Sequence, residues 1–326
     1  MFDEEYYKKI FRILKNGDKV SDLCDVLSLD LLQFEGLIEM LQVRGYDVSI
    51  VKDNDELVIY KKNIVKTSKK IKPSLSELNH IKICILSDTH LCTTIQQLGL
   101  VNEVYKEASR RGIKTFLHCG DLLDGDFTKI RPDQNYQLFR RGFDEQVDYV
   151  IDMYPFIEGS QTLFIEGSHD QTHVKNGGAT PGKWISRLRS DMIYLGTPEA
   201  VVDLEKVKIK MQHPGGGCAR SLSYKPQIAI DEMETCDKPN MFLQGHFHKA
   251  YGAVYRNVHM YLVPSFMNQS GFMKMNNLKS IVGAYFIDIY ADKKGHIEYL
   301  DCDPFIYDKN HIDEYDYKHV KKLVIK

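Results

Sequence analysis

Residues 81–90 read IKICILSDTH: a short apolar run, Ile81–Leu86, followed at once by Ser87 and an Asp88-x-His90 pair. Such a run bounded by polar residues reads as a strand. The same grammar recurs in TFLHCGD at 115–121, LFIEGSHD at 163–170, KIKMQHP at 208–214 and MFLQGHFH at 241–248. Each polar cluster therefore follows the C-terminal end of a predicted strand, where α/β sheets place their ligands. One Asp-x-His after a strand is weak, because two polar residues there are common. Five clusters rich in carboxylate and imidazole, each at a strand end, point to a shared metal-binding site.

Working outward, strand, loop and helix alternate. Val101–Arg111 predicts a helix ended by Gly112, Thr115–Leu117 a strand, Phe143–Tyr154 an amphipathic helix and Thr162–Ile165 a third strand. Later strands are expected at Ala200–Leu204, Val207–Met211, Met241–Leu243, His259–Leu262 and Gly283–Ile289. The expectation is an α/β fold over residues 81–305, a two-sheet β-sandwich flanked by helices. A C-terminal tail, 306–326, rich in Tyr and Lys, is expected to pack on a neighbour or stay mobile.

Residues 1–60 predict three short helices and a hairpin. Tyr6–Lys15 ends at Asn16-Gly17, a second helix capped by Ser21 runs to Leu27, and a third capped by Ser28 or Asp30 runs to Val43 and closes at Gly45. Asp47–Val51 and Glu56–Tyr60 alternate about a polar turn. Helix, helix, helix and hairpin resembles a winged helix-turn-helix domain. Such modules read DNA with the third helix, but residues 1–60 hold seven basic and thirteen acidic residues, a charge of −6. Contact with a protein partner, homo-oligomer assembly or a structural role competes with duplex reading. A linker follows at 61–80. Its first part, KKNIVKTSKKIK, carries six Lys and no acid; it is either a solvated linker or a strap tracking phosphates.

The whole chain of 326 residues is nearly neutral, at −2, so contact with a polyanion has to be local. Seven scattered cysteines without a CxxC pair favour reduced thiols and a cytoplasmic setting. Neither a secretory leader nor an apolar run long enough to span a membrane is visible.

The clusters resemble the calcineurin-like metallophosphoesterase superfamily, whose motifs run Asp-x-His, Gly-Asp-x-x-Asp, Gly-Asn-His-Asp/Glu, His and Gly-His-x-His. Within it, phage and prophage phosphoesterases carrying a winged helix and DNA-repair exonucleases look similar. The resemblance implies two divalent ions, Mn before Fe, Zn, Ni or Mg. Asp88, His90 and His248 would hold one, Asp121 would bridge, and Ser168, His213 and His246 would face the other. A hydroxide shared by the ions would attack phosphorus. His169 would give a proton to the leaving oxygen, with Asp170 holding its ring and Asp124 as a further partner.

Ser168 departs from the pattern, which has Asn there; a hydroxyl is shorter and a weaker ligand. Three outcomes are open: a variant that turns over normally, a weakened or altered one, or a substitution introduced to silence the enzyme. Arg140, Arg141 and Arg220 are candidate substrate contacts, with Arg131 nearby in sequence. The loop HPGGGCARSLSY at 213–224 either binds phosphate or is a flexible surface loop. Tyr224, Phe247, Phe266 and Phe272 either stack bases or pack in the core. The expected activity is metal-dependent hydrolysis of phosphodiesters, with DNA or RNA as substrate. The alternatives are a phosphatase or small-nucleotide phosphodiesterase, and a binding or regulatory protein with a weakened site.

Overall fold

The computed structural model describes residues 4–53, 55–61, 74–128, 132–234 and 237–326, and it divides into two units, Met1–Lys72 and Pro73–Lys326. The Lys-rich run from Lys62 to Lys72, Pro73, Arg131 and Cys236 lie outside the described residues.

The first unit contains α1 (Glu4–Ile13), α2 (Val20–Leu27), α3 (Leu31–Val43) and an antiparallel pair, β1 (Val48–Asp53) with β2 (Glu56–Lys61). Gly17, at φ 83°, takes the left-handed turn that leads the chain away from α1. Asp30 caps α3: its carboxylate accepts from Gln33 N at 2.7 Å, and the Gln33 side chain accepts from Asp30 N at 3.0 Å. The cap expected from Ser21 is not made. Lys19 holds that position without a side-chain bond, because the helix begins at Val20 and puts Ser21 inside its first turn. Tyr7, Leu14, Phe34, Leu41 and Ile59 form the core of this unit.

The second unit is built from two sheets. Its elements run β3 (Asn79–Leu86), α4 (Leu98–Arg110), β4 (Thr115–His118), α5 (Phe143–Met153), β5 (Phe156–Ile157), β6 (Gln161–Ile165), α6 (Gln171–Lys175), α7 (Pro181–Leu188) and β7 (Met192–Gly196). They continue with β8 (Glu199–Leu204), β9 (Val207–Gln212), α8 (Tyr224–Asp231), β10 (Met241–Gln244), β11 (Tyr251–Tyr255) and β12 (Val258–Leu262). The chain closes with α9 (Gly271–Met275), β13 (Gly283–Ala291), β14 (Ile297–Ile306) and β15 (Val324–Ile325). The six-stranded sheet has the order β14-β13-β3-β4-β6-β7 and the five-stranded sheet β11-β12-β10-β9-β8. Among the described residues no helix is long and apolar enough to cross a membrane.

The C-terminal half of β3, Ile83–Leu86, is apolar because both its faces are covered. Ile83 and Ile85 join Leu117, Ile165, Ile209, Met211 and Leu243 in the core between the sheets, while Cys84 and Leu86 turn outward to the helices. There they meet Val101, Val104 and Tyr105 of α4, Val150 of α5 and Ile185 of α7. Burial of this apolar surface, at about 25 cal/mol per Å², is the main force holding the layers together.

The C-terminal segment packs on its own unit. Val324–Ile325 pairs with β5, Tyr317 stacks on Phe139 at 4.7 Å, and Val320 and Leu323 pack on the helical core. Helix α4 depends on this segment. Its own N-cap residue, Gln97, makes no cap bond, and Gly99 N instead donates to Asp316 Oδ1 and Oδ2 at 3.1 and 3.0 Å.

Candidate metal centre

The five clusters converge because β3, β4 and β6 run parallel in one sheet, β9 and β10 run parallel in the other, and every cluster follows the C-terminal end of its strand. The first two loops are knitted by main-chain bonds: Asp88 N to Gly120 O at 2.9 Å, His90 N to Asp121 O at 3.1 Å and Asp124 N to Leu91 O at 3.0 Å. Asp88, His90, Asp121, His246 and His248 all have positive φ, between 41° and 76°. Side chains rarely adopt that conformation, at a cost of about 1–2 kcal/mol per residue, and clustering of such strain is a mark of functional sites.

Two triads result. In the first, His248 Nε2 lies 3.2 Å from Asp88 Oδ1, and His90 Nε2 lies 3.7 Å from that oxygen and 3.2 Å from His248 Nε2. In the second, Asp121, His213 and His246 offer ligand atoms within 4.8 Å of one another. Asp121 stands between them, with Oδ2 3.9 Å from His90 Nε2 and 3.0 Å from His213 Nε2.

The hydrogen bonds around the imidazoles test whether cations fit. His213 Nδ1 donates to Cys119 O at 2.8 Å, so the neutral ring presents its lone pair at Nε2. That nitrogen is buried and has no hydrogen bond, although an Asp121 oxygen is close. His246 Nε2 donates to Gly216 O at 2.7 Å, which leaves Nδ1 with its lone pair. His90 Nδ1 faces Asp124 Oδ1 at 3.0 Å, the arrangement in which a carboxylate orients a metal-binding histidine. Lone pairs and carboxylates thus face one another across two gaps, and divalent cations suit that donor set.

The buried carboxylates and imidazoles also shift one another's titration. Burial would raise the pKa of Asp88, but His248 and His90 hold it well below the carboxylate range. Burial would lower that of His213, yet Asp121 and Asp88 push it up to about 9. Asp124, opposed by burial, is held at about 2 by His169 and His90.

Glycines let the loops close. A Cβ on Gly167 would run into the Asp121 carboxylate, and one on Gly120, at φ 94°, would lie 2.5 Å from His213 Nδ1.

Roles within the Gly167–Asp170 loop differ from expectation. Asp170 does not hold the His169 ring. It accepts from Gly167 N and Leu123 N, both at 2.8 Å, and from Leu122 N at 3.2 Å, locking two loops together. The His169 ring is held by Asp124, whose main-chain oxygen is 2.9 Å and Oδ1 3.2 Å from Nδ1. Ser168 is half-buried, and among the described residues its hydroxyl has no hydrogen-bond partner. Arg140, Arg141 and Arg220 are exposed, and among the described residues no hydrogen bond or ion pair joins them to the triads. Phe247 and Phe266 are buried; Tyr224 and Phe272 are exposed.

Several groups were not foreseen. The Phe127 ring meets His169 edge-on at 4.8 Å. His118, fully buried and kept neutral by that burial, lies 3.2 Å from Thr89 Oγ1, which donates to Leu122 O at 2.9 Å. Thr89 separates the two ligands of the first motif, so this bond ties both loops below the centre. The apolar context of His118, TFLH, gave no sign of it.

Solved structures are similar to this chain at low identity. An archaeal phosphodiesterase is 14% identical, with 70% of this chain and 100% of that chain covered and a TM-score of 0.38. Zinc-bound Vps29 from Entamoeba histolytica is 12% identical, with 70% and 100% covered and a TM-score of 0.33. A 5'-nucleotidase precursor from Thermus thermophilus is 12% identical, with 73% and 57% covered and a TM-score of 0.36. Likenesses this distant say nothing of the substrate. No curated protein sequence matches the chain. Residues 81–265, more than half of the chain, match the calcineurin-like phosphoesterase superfamily domain and include every group of both triads; the chain belongs to that superfamily of metal-dependent hydrolases.

Proposed function

We propose that this chain is a two-metal phosphodiesterase acting on nucleic acid. The observation that carries the reading is Asp121, placed between two imidazole-rich triads with the buried, unbonded Nε2 of His213 3.0 Å from its Oδ2. Asp88, His90 and His248 would hold one cation, His213 and His246 the other, with Asp121 shared. Bound there, two cations would offset the charge on the phosphate's non-bridging oxygens and acidify water at neutral pH.

The chain's own groups do the rest. His169 is partly exposed at the centre, with Nδ1 donating to Asp124 O, so in the protonated ring the proton free to leave is the one on Nε2. Burial disfavours its charge, Asp121 and Asp124 favour it, and the balance raises its pKa. The protonated ring can pass that proton to the leaving oxygen. His246 holds Gly216 of the glycine-rich loop against the centre, which brings a flexible main chain and the exposed Arg220 toward an incoming phosphate. Support for nucleic acid comes from that loop and from the six lysines of residues 61–72.

The test is an assay with Mn²⁺ on bis-p-nitrophenyl phosphate, p-nitrophenyl phosphate and labelled single- and double-stranded DNA and RNA, using the native chain and Ser168→Asn. Cleavage of the diester and an oligonucleotide, with slower monoester turnover, is expected. Cleavage confined to the monoester would make it a phosphatase. Inactivity of both forms with metal bound would leave a binding protein.

A further inference from the structure

The outer face of α3 is apolar where a duplex-reading helix would be basic. Leu32, Gly36, Met40 and Val43 are spaced four, four and three residues apart, which sets them in one stripe along the helix. Leu32 is 79% exposed, Met40 41% and Val43 82%. Gly36 has no atom within 4 Å of where its Cβ would stand, which leaves a shallow saddle in the middle of the stripe. The opposite face, Phe34, Ile38 and Leu41, is buried, and the Asp30–Gln33 box fixes the first turn, so the helix presents a defined surface.

Charge decides what that surface can meet. Glu35 and Glu39 follow one flank of the stripe, and α3 has neither Lys nor Arg. Arg44, just beyond its end, is turned inward, 3.9 Å over the Tyr7 ring, with Nη1 donating to Met40 O. Phosphates on this face would meet carboxylates alone. A second copy would bring no base to either flank, and antiparallel pairing would set acids against acids. An amphipathic helix with an apolar stripe and a Lys- or Arg-bearing flank satisfies both the stripe and the acids. We propose that α3 is the docking face for such a helix from another protein.

The test uses the full chain and fluorescence anisotropy. The probe is a labelled helical peptide of about 18 residues, with Leu on one face and Lys along one flank; a counterpart carries Glu in place of Lys, and a DNA duplex of about 20 base pairs is a third ligand. The Lys-flanked peptide is expected to bind, more weakly at high salt. Leu32→Asp with Val43→Asp should weaken it about tenfold or more, Glu35→Gln with Glu39→Gln should also weaken it, and the Glu-flanked peptide should not bind. Both pairs lie on the surface, and an unchanged circular dichroism spectrum verifies folding. Absent binding, or binding untouched by the Leu32/Val43 pair, overturns the proposal. So does self-association in sedimentation that this pair abolishes, which would assign the face to a second copy. Duplex binding lost in the pair would assign it to nucleic acid and likewise overturn it.

Discussion

Replacing Asp124 by Asn tests how one carboxylate serves two imidazoles. Its Oδ1 lies 3.0 Å from His90 Nδ1 and 3.2 Å from His169 Nδ1, and Asn keeps an oxygen there while removing the charge. A hydrogen bond to a charged group contributes about 1.5–3 kcal/mol against about 1 kcal/mol for a neutral one, so each imidazole loses on the order of 1 kcal/mol. Of the two, only His90 belongs to the Asp88–His90–His248 triad. Metal affinity at that triad should therefore fall about five- to tenfold, since 1.4 kcal/mol is a factor of ten. The remaining loss falls on His169, whose raised pKa partly depends on Asp124 and should drop. Calorimetric Mn²⁺ titration and the pH profile of diester hydrolysis check both effects. The expected result is a weaker first site and an alkaline limb moved to lower pH. An unchanged dissociation constant together with an unmoved alkaline limb would refute the assignment of Asp124.

Three further outcomes follow from the geometry. Gly120→Ala would place a Cβ 2.5 Å from His213 Nδ1 at a φ of 94°; strain and overpacking should cost about 2–4 kcal/mol in denaturant unfolding, and a stability within error of native would contradict this. Asp316→Ala removes the acceptor for Gly99 N and should cost about 1 kcal/mol, lowering Tm by about 2–4 °C, whereas an unchanged Tm would mean the C-terminal segment does not cap α4. Mn²⁺ binding should release protons at pH 7. Burial lowers the His213 pKa but Asp121 raises it to about 9, so the metal-free form holds a proton the metal must displace, and affinity rises with pH up to that value. Titrations in two buffers of different ionisation enthalpy measure the release, and identical apparent enthalpies would count against it.

The site was legible in the sequence because strand and ligand are adjacent in it. Ile83–Leu86 and Met241–Leu243 are apolar since both faces are covered, and the ligands follow each run within five residues: Asp88 and His90 after Leu86, His246 and His248 after Leu243. Spacing says nothing of which hydrogen bonds a carboxylate accepts. Asp170 follows His169 directly, yet it serves the amides of Gly167, Leu122 and Leu123, while Asp124, remote in sequence, holds the ring. Elements defined by tertiary partners were also hidden. β14 carries Asp301, Asp303 and Pro304 because it is an edge strand, and β5 with β15 has two residues on each side. The tail reads as polar, but Tyr317, Val320 and Leu323 anchor it.

The sharing of Asp121 by two cations is measured most directly by the Mn²⁺ stoichiometry of the purified native chain and of Asp121→Ala, by isothermal titration with elemental analysis. Two equivalents in the native chain, with at least one lost in Asp121→Ala, are predicted. A single equivalent or none in the native chain, or two equivalents bound with native affinity by Asp121→Ala, would contradict it.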